Sequence, residues 1–279
     1  MSFNTLLTIL TNAGLTGEVL PPAEAMARAC DAHLEVMCLG VDRSQAATYY
    51  GGATALILKE SVETARAEAR AIHDAVNDHF KTTDIRWGSD ENIAQQVELA
   101  RVVSMHARFC DLAILPRPYG PERGVELETC VEACLFDAGA PTLILPAGGG
   151  ELSPPQRIVI AWNESAEALR AVRAALPLMR AAREVHVVII DPPQHGPGRS
   201  DPGGLLSQYL ARHGLRVEVD ILSRTLPRIA DMLVRHVTDL DADMLVMGAY
   251  GHSRFREAVF GGATRDLLTE APVPVFMAH

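Results

Sequence analysis

The chain has 279 residues, a formal net charge of −10 and a mean hydropathy of +0.09, with 48% hydrophobic and 22% charged residues. That is material for two ordinary domains with buried cores, and no apolar stretch approaches the roughly 20 residues that a membrane-spanning helix needs. The acidic excess lies mainly in the first half, which excludes a general nucleic-acid-binding surface while leaving local anion capture by backbone amides open.

In chain order, the opening MSFNTLLTIL carries no basic leader, so a cytoplasmic protein is expected. TLLTIL (5–10) reads as a strand, PPAEAMARACDA (21–32) as a helix and HLEVMCLGV (33–41) as a second strand. Residues 53–80 read as a long helix, TTDIRW as a third strand and ENIAQQVELARVVSMHARF (91–109) as another helix, before CDLAILP and APTLILPAG supply two further strands. The five cysteines, Cys30, Cys38, Cys110, Cys130 and Cys134, all fall here. Cys130 with Cys134, and His106 with Cys110, share helical faces, yet the spacing is not that of a zinc knuckle, and buried thiols account for the same pattern.

Ala147-GGGELSPPQ-Arg157 reads as an exposed connection, because three glycines and two prolines suit neither helix nor central strand. The expected organisation is therefore a domain over 1–147, a linker over 148–156 and a domain over 157–279. In the second half RIVIAW is a strand, and Ser165 caps a helix running to about residue 182, which Pro177 kinks or shortens. EVHVVII (184–190), the loop DPPQHGPGRSDPG, a helix ending near Gly214, the strand LRVEVDIL, a helix from Pro227, the strand DMLVMG, a helix near 263–270 and the strand PVPVFMA follow. This alternation predicts an α/β fold of two tandem Rossmann-like, doubly wound parallel-sheet domains. Asp111 and Asp243 are 132 residues apart and Ala140 and Ala271 are 131 apart, near-equal offsets that favour an internal duplication.

The chemistry concentrates at the carboxyl ends of the second-half strands, where a doubly wound sheet opens its crevice. Gly248 and Gly251, then Gly261 and Gly262 ahead of another helix, either cradle phosphate with the amides of Gly262, Ala263 and Thr264 or simply ease tight turns. Asn163 either bonds a ribose or base or caps the following turn, and Asp191 either meets a ribose or starts the Asp-Pro turn. Ile190 is a wall for a base or ordinary strand core. His252 and Arg254 either approach phosphate or face solvent and acidic partners. The pattern is neither a Walker A loop nor a dinucleotide Gly-x-Gly-x-x-Gly, and no catalytic constellation is legible.

These residues resemble the universal stress protein family in its tandem form, over nearly the whole length. Nucleotide-binding members carry Gly-x2-Gly-x9-Gly-Ser/Thr, and Gly248-AY-Gly251-HSRFREAVF-Gly261-Gly262 keeps the glycine spacing. Gly262 stands in place of the family's Ser/Thr, and Asn163 in place of its common Asp. The resemblance implies an ATP site, with Mg²⁺ as companion ion, formed by Ala161, Trp162, Asn163, Ile190, Asp191, Gly248, Gly251, His252, Arg254, Gly261, Gly262, Ala263 and Thr264. It implies no resident metal and no catalytic residue. In the first half Pro116, Pro118 and Glu122 interrupt the corresponding cradle, because proline has no amide to donate and a carboxylate opposes phosphate. The function expected is an ATP-binding stress-response or regulatory protein whose ligand state alters homo-oligomerisation or binding of a protein partner, with neither nucleic acid nor membrane involved. The alternatives are a ligand-free structural or interaction protein and a slow ATP hydrolase.

Overall fold

A computed structural model describes residues 3–44, 54–120, 123–149, 153–192, 201–249 and 262–279. Contacts divide the chain into two compact units, one of Phe3–Ala140 with Gly148–Leu152, the other of Pro141–Ala147 with Ser153–His279 and the first two residues. Both are α/β.

The N-terminal unit contains β1 (Thr5–Leu10), α1 (Thr16–Cys30), β2 (His33–Asp42), α2 (Thr54–His79), β3 (Arg86–Gln95), α3 (Leu99–Ala107), β4 (Leu112–Pro116) and α4 (Val125–Glu132). Its strands run in the order β3-β2-β1-β4, all parallel. Two elements differ from the sequence reading. The first helix begins at Thr16, so Pro21 and Pro22 lie inside it. Pro22 cannot bond the Glu18 carbonyl one turn back, and Gly149 packs against that carbonyl so closely that a Cβ would lie 2.0 Å from its oxygen. The stretch 91–95, expected to be helical, extends β3. Ten consecutive residues of β3 pair with β2 from His33↔Arg86 to Asp42↔Gln95, and this ladder overrides a local pattern that is ambiguous between strand and helix.

The C-terminal unit contains β5 (Thr142–Leu145), β6 (Arg157–Ala161), α5 (Ala166–Met179), β7 (Glu184–Ile190), α6 (Gly204–Arg212), β8 (Val217–Leu222), α7 (Ile229–Asp239), β9 (Met244–Gly248), α8 (Gly262–Glu270) and β10 (Val275–Ala278). The strand order is β5-β10-β9-β6-β7-β8. β6 through β10 are parallel, but β5, which the sequence places in the first half, joins β10 antiparallel through Ile144↔Val275, Leu143↔Phe276 and Thr142↔Met277. The sheet is therefore mixed rather than purely parallel as expected. Its central strands bury both faces: Ile158, Val159 and Ile160 of β6, Leu245 and Val246 of β9 and Phe276 of β10 are all sealed from solvent. That two-sided burial is why they read as continuous apolar runs.

Helix ends follow local chemistry. Ser165 caps α5 by accepting from the Ala168 amide at 3.1 Å, and α5 accommodates Pro177 in its last turn. α7 starts at Ile229, two residues after the proline taken as its first, with Arg228 at the cap. Among the described residues, no helix is long and apolar enough to cross a membrane.

Candidate functional site

Following the fold to its carboxyl ends leads to the point where the strand order of the C-terminal unit reverses. β6 is flanked there by β7 on one side and β9 on the other. Their connections leave toward opposite sides, and a crevice opens between them. A cavity of about 440 Å³ occupies it, within the range of small-molecule sites. Val188, Ile190, Met247 and Gly248 come from the sheet, Ile229, Ala230 and Leu233 from α7, and Thr264 and Leu267 from α8. Ala161, Trp162, Asn163, Glu164, Asp191 and Pro192 form the exits of β6 and β7.

Seven of the thirteen expected site residues, Ala161, Trp162, Asn163, Ile190, Asp191, Gly248 and Thr264, line this one cavity. Gly262 and Ala263 open α8, beside Thr264. Gly251, His252, Arg254 and Gly261 lie outside the described residues.

The side chains show how each position is held. Trp162 continues the β6 ladder, its amide donating to the Val188 carbonyl at 2.9 Å. Asn163 Oδ1 accepts from the Ser165 amide at 3.2 Å, so its carbonyl serves the turn into α5. Between them Glu164 takes the left-handed conformation, φ 61°, an uncommon backbone for a residue with a Cβ. Asp191 is left-handed too, at φ 46°. Its amide donates to Leu222 at 2.9 Å, and its Oδ1 accepts from the Arg224 amide at 3.1 Å, which ties the β7 exit to the β8 exit. Thr264 is buried, and the first turn of α8 contains no acidic side chain that would oppose an anion at its amides.

Gly248 serves a purpose that spacing alone did not reveal. A Cβ there would lie 2.5 Å from the Ala168 amide nitrogen and 2.7 Å from the Glu167 carbonyl carbon. The missing side chain admits the first turn of α5 against the end of β9. The α7 wall was also missed, because Ile229, Ala230 and Leu233 follow the helical spacing of ordinary core. Arg228 fixes that wall to its neighbour. It meets Asp231 at 3.0 Å within its own helix and Glu270 of α8 at 3.0 Å, with Asp266 at 3.6 Å, and these carboxylates hold the guanidinium firmly in its charged form.

The corresponding end of the N-terminal unit is filled by its own charges. Asp42, at the end of β2, is buried and accepts from Ser61 Oγ at 2.5 Å and the Ser44 amide at 2.9 Å. Burial opposes its charge, but the bonds from Ser61 and Ser44 prevail and hold the carboxyl below the usual range. The next residue, Arg43, reaches Glu126 at 2.8 Å and Glu68 at 3.0 Å. Glu126 is buried in the first turn of α4, the position at which α8 carries no acid. A carboxylate of the chain itself thus lies where an anionic ligand would seek a helix terminus. Glu122, named among the residues that interrupt the cradle, lies outside the described residues.

Three of the five thiols are core. Cys38, Cys130 and Cys134 are buried, and burial pushes the Cys38, Cys110 and Cys130 thiols up to about 12, far from a reactive thiolate. Among the described residues, no group of three or more His, Cys, Asp or Glu side chains is arranged to hold a metal ion.

The sequence model of the universal stress protein family matches residues 155–279, which are homologous to that family. Universal stress protein Slr1230 of Synechocystis sp. is 28% identical over 120 residues, 43% of this chain and 41% of the relative, so the match spans less than half the length of either protein. A universal stress protein structure from Archaeoglobus fulgidus aligns over 99% of this chain and 96% of its own, with a TM-score of 0.68 and 17% identity. A functionally unknown protein of Pseudomonas aeruginosa aligns over 99% and 92%, with a TM-score of 0.57 and 15% identity. The structural likenesses establish a shared α/β fold.

Proposed function

We propose that the C-terminal unit binds an adenine nucleotide, ATP first among them, and that occupancy alters self-association or binding of a regulatory protein partner in a cytoplasmic stress response. The observation that carries this reading is the apolar cavity of about 440 Å³ at the sheet's reversal point, opening beside Asp191 and the acid-free start of α8. Val188, Ile190, Ile229 and Leu233 offer an apolar slot for a flat base, and Trp162 an aromatic surface at its edge. Asp191 has a second carboxylate oxygen for a ribose hydroxyl, and the α8 amides suit phosphate. The donor set fits the nucleotide, and Mg²⁺ would enter with the ligand's phosphates, as is usual for this ion. Ligand state changes association only if the nucleotide binds two states of the protein with different affinity.

The test is calorimetric titration with ATP and Mg²⁺ of the native chain and of Ile190→Glu, which puts a carboxylate on the apolar wall. We expect saturable binding and at least a tenfold loss in the variant, the equivalent of about 1.4 kcal/mol. Equal affinity in both would remove the cavity from consideration.

A ligand-free interaction protein is the second reading. It is favoured by Asn163 and Asp191 already spending a carbonyl and a carboxylate oxygen on turns. No heat and no protection from unfolding at millimolar ATP would select it.

A further inference from the structure

Two histidines share one carboxylate beneath the cavity. His186 Nδ1 lies 2.9 Å from Asp220 Oδ2, and His236 Nε2 lies 3.1 Å from the same oxygen. The three residues belong to β7, β8 and α7, so a single carboxylate ties the sheet to the helix. His186 is only 5% exposed. It precedes Val188 by two residues and therefore shares its face of the strand, and Val188, a cavity residue, is the Cα partner of Asp220. His236 lies three residues beyond Leu233 on α7, and Leu233 also lines the cavity. Both anchors of the tie are thus one step behind residues that shape the pocket.

We propose that Asp220 is a proton-dependent positioning residue for this pocket, setting how firmly α7 closes on it through His186 and His236. The inference rests on the nucleotide reading for its ligand, but not for the tie itself.

The chemistry is that of a shared acceptor. With both imidazoles neutral, each donates one N–H to the carboxylate. Each of these bonds is already charge-assisted by the carboxylate, and a proton gained by either imidazole sets a cation directly against it. A second proton would set two cations on one oxygen, a like-charge repulsion that opposes it. Histidine is the side chain whose charge ordinarily changes closest to neutral pH, so pH 8 and pH 6 are the conditions to compare. Of the other charged groups on these elements, most have partners of their own. From β7, Glu184 is bonded by Arg157 of β6 and by Arg183. From β8, Glu218 faces Arg216 at 3.7 Å. From α7, Arg235 donates to Thr225, Asp231 is held by Arg228, and Asp239 stands at the helix's last residue. Arg157 also donates to the Leu240 carbonyl just past α7.

The test uses the full chain and His186→Asn/His236→Gln, in which Asn places its amide near Nδ1 and Gln near Nε2. Both donors survive and neither titrates. The first readout is hydrogen exchange of Ile229–Asp239 in ligand-free protein at pH 6 and pH 8, corrected for intrinsic rates. The second is ATP affinity at the same pH values, taken as the ratio of native to variant so that the nucleotide's own titration cancels. We expect native α7 protection, and the affinity ratio, to rise roughly threefold to tenfold on going to pH 6. The variant's protection should stay constant. The same pH response in both proteins, or none in either, overturns the tie even if ATP binds. A response confined to the native chain, with no ATP binding at either pH, keeps the tie but overturns its coupling to a nucleotide. Should the double variant fold poorly, His236→Gln alone on the helix reads the same two quantities, with half or more of the response lost.

Discussion

At the scale of single residues, the two most informative groups are a glycine and a carboxyl. Gly248 belongs to a turn-like glycine pattern, but its backbone position is dictated by Ala168 and Glu167 rather than by φ. Gly248→Ala must displace the start of α5, and overpacking of this kind costs about 1–3 kcal/mol. Urea unfolding should show a lowered midpoint at unchanged slope. Glu132 on α4 is raised from an ordinary carboxylate to about 7 by burial first and then by Glu128 and Asp137. Its charged form is disfavoured in the fold, so its ionisation lowers stability progressively from about pH 4.5 to about pH 7 and fully above that. Glu132→Gln should therefore raise the melting temperature at pH 8, with the gain vanishing near pH 4. Of the candidate site, Asn163, Ile190 and Asp191 were legible because they follow apolar strands in a βα pattern. That Asn163 caps the turn into α5 and also lines the cavity needed the tertiary structure.

At the scale of elements, strands and helices with clear periods and punctuation were readable. Ser165 marks the start of α5 as capping chemistry requires, and the glycine and proline run between the halves marks a connection. The errors fall where a distant partner decides. Residues 91–95 are strand because β2 offers a ten-residue ladder. Thr142–Leu145 turn antiparallel because their partner is β10, far along the chain. The wall of the cavity is a matter of elements too. Arg228 clamps α7 to α8 through Glu270 and Asp266, and both helices supply cavity residues. Because these groups are partly exposed, Arg228→Ala should lower stability by only about 0.5–1 kcal/mol. If the pocket reading holds, ATP affinity should fall several-fold more than that loss accounts for. A drop in stability with unchanged affinity would mean that the clamp does not shape the site.

At the scale of the whole molecule, the two units share a hydrogen-bond arrangement at Asp111 and Asp243, one of the residue pairs whose spacing suggested a duplication. Asp111 Oδ2 accepts from the amides of Asn4 and Thr5 at 2.7 and 3.0 Å, and Asp243 Oδ2 accepts from those of Gln156 and Arg157, each at 2.7 Å. The amides of the two aspartates donate in return to the Thr5 and Arg157 carbonyls. An aspartate thus anchors the start of β1 in one unit and of β6 in the other. Asp111→Ala and Asp243→Ala should each cost about 1.5–3 kcal/mol, the worth of bonds to a charged acceptor, measured by denaturant unfolding. A clear disparity between them would show that the two units no longer use the motif equally. The units diverge at the opposite end of the sheet, where one opens a cavity and the other closes on Arg43, Glu68 and Glu126.

The sequence by itself determined the alternation of strand and helix and the strand exits at which a ligand would be sought, because these depend on local periodicity and on residues close in the chain. Tertiary structure decided which helix walls the cavity, which strand runs antiparallel, why Gly248 lacks a side chain, and that His186, Asp220 and His236 meet on one oxygen. Those outcomes depend on contacts between segments dozens of residues apart, where packing and hydrogen bonding choose among local patterns that are equally acceptable on their own.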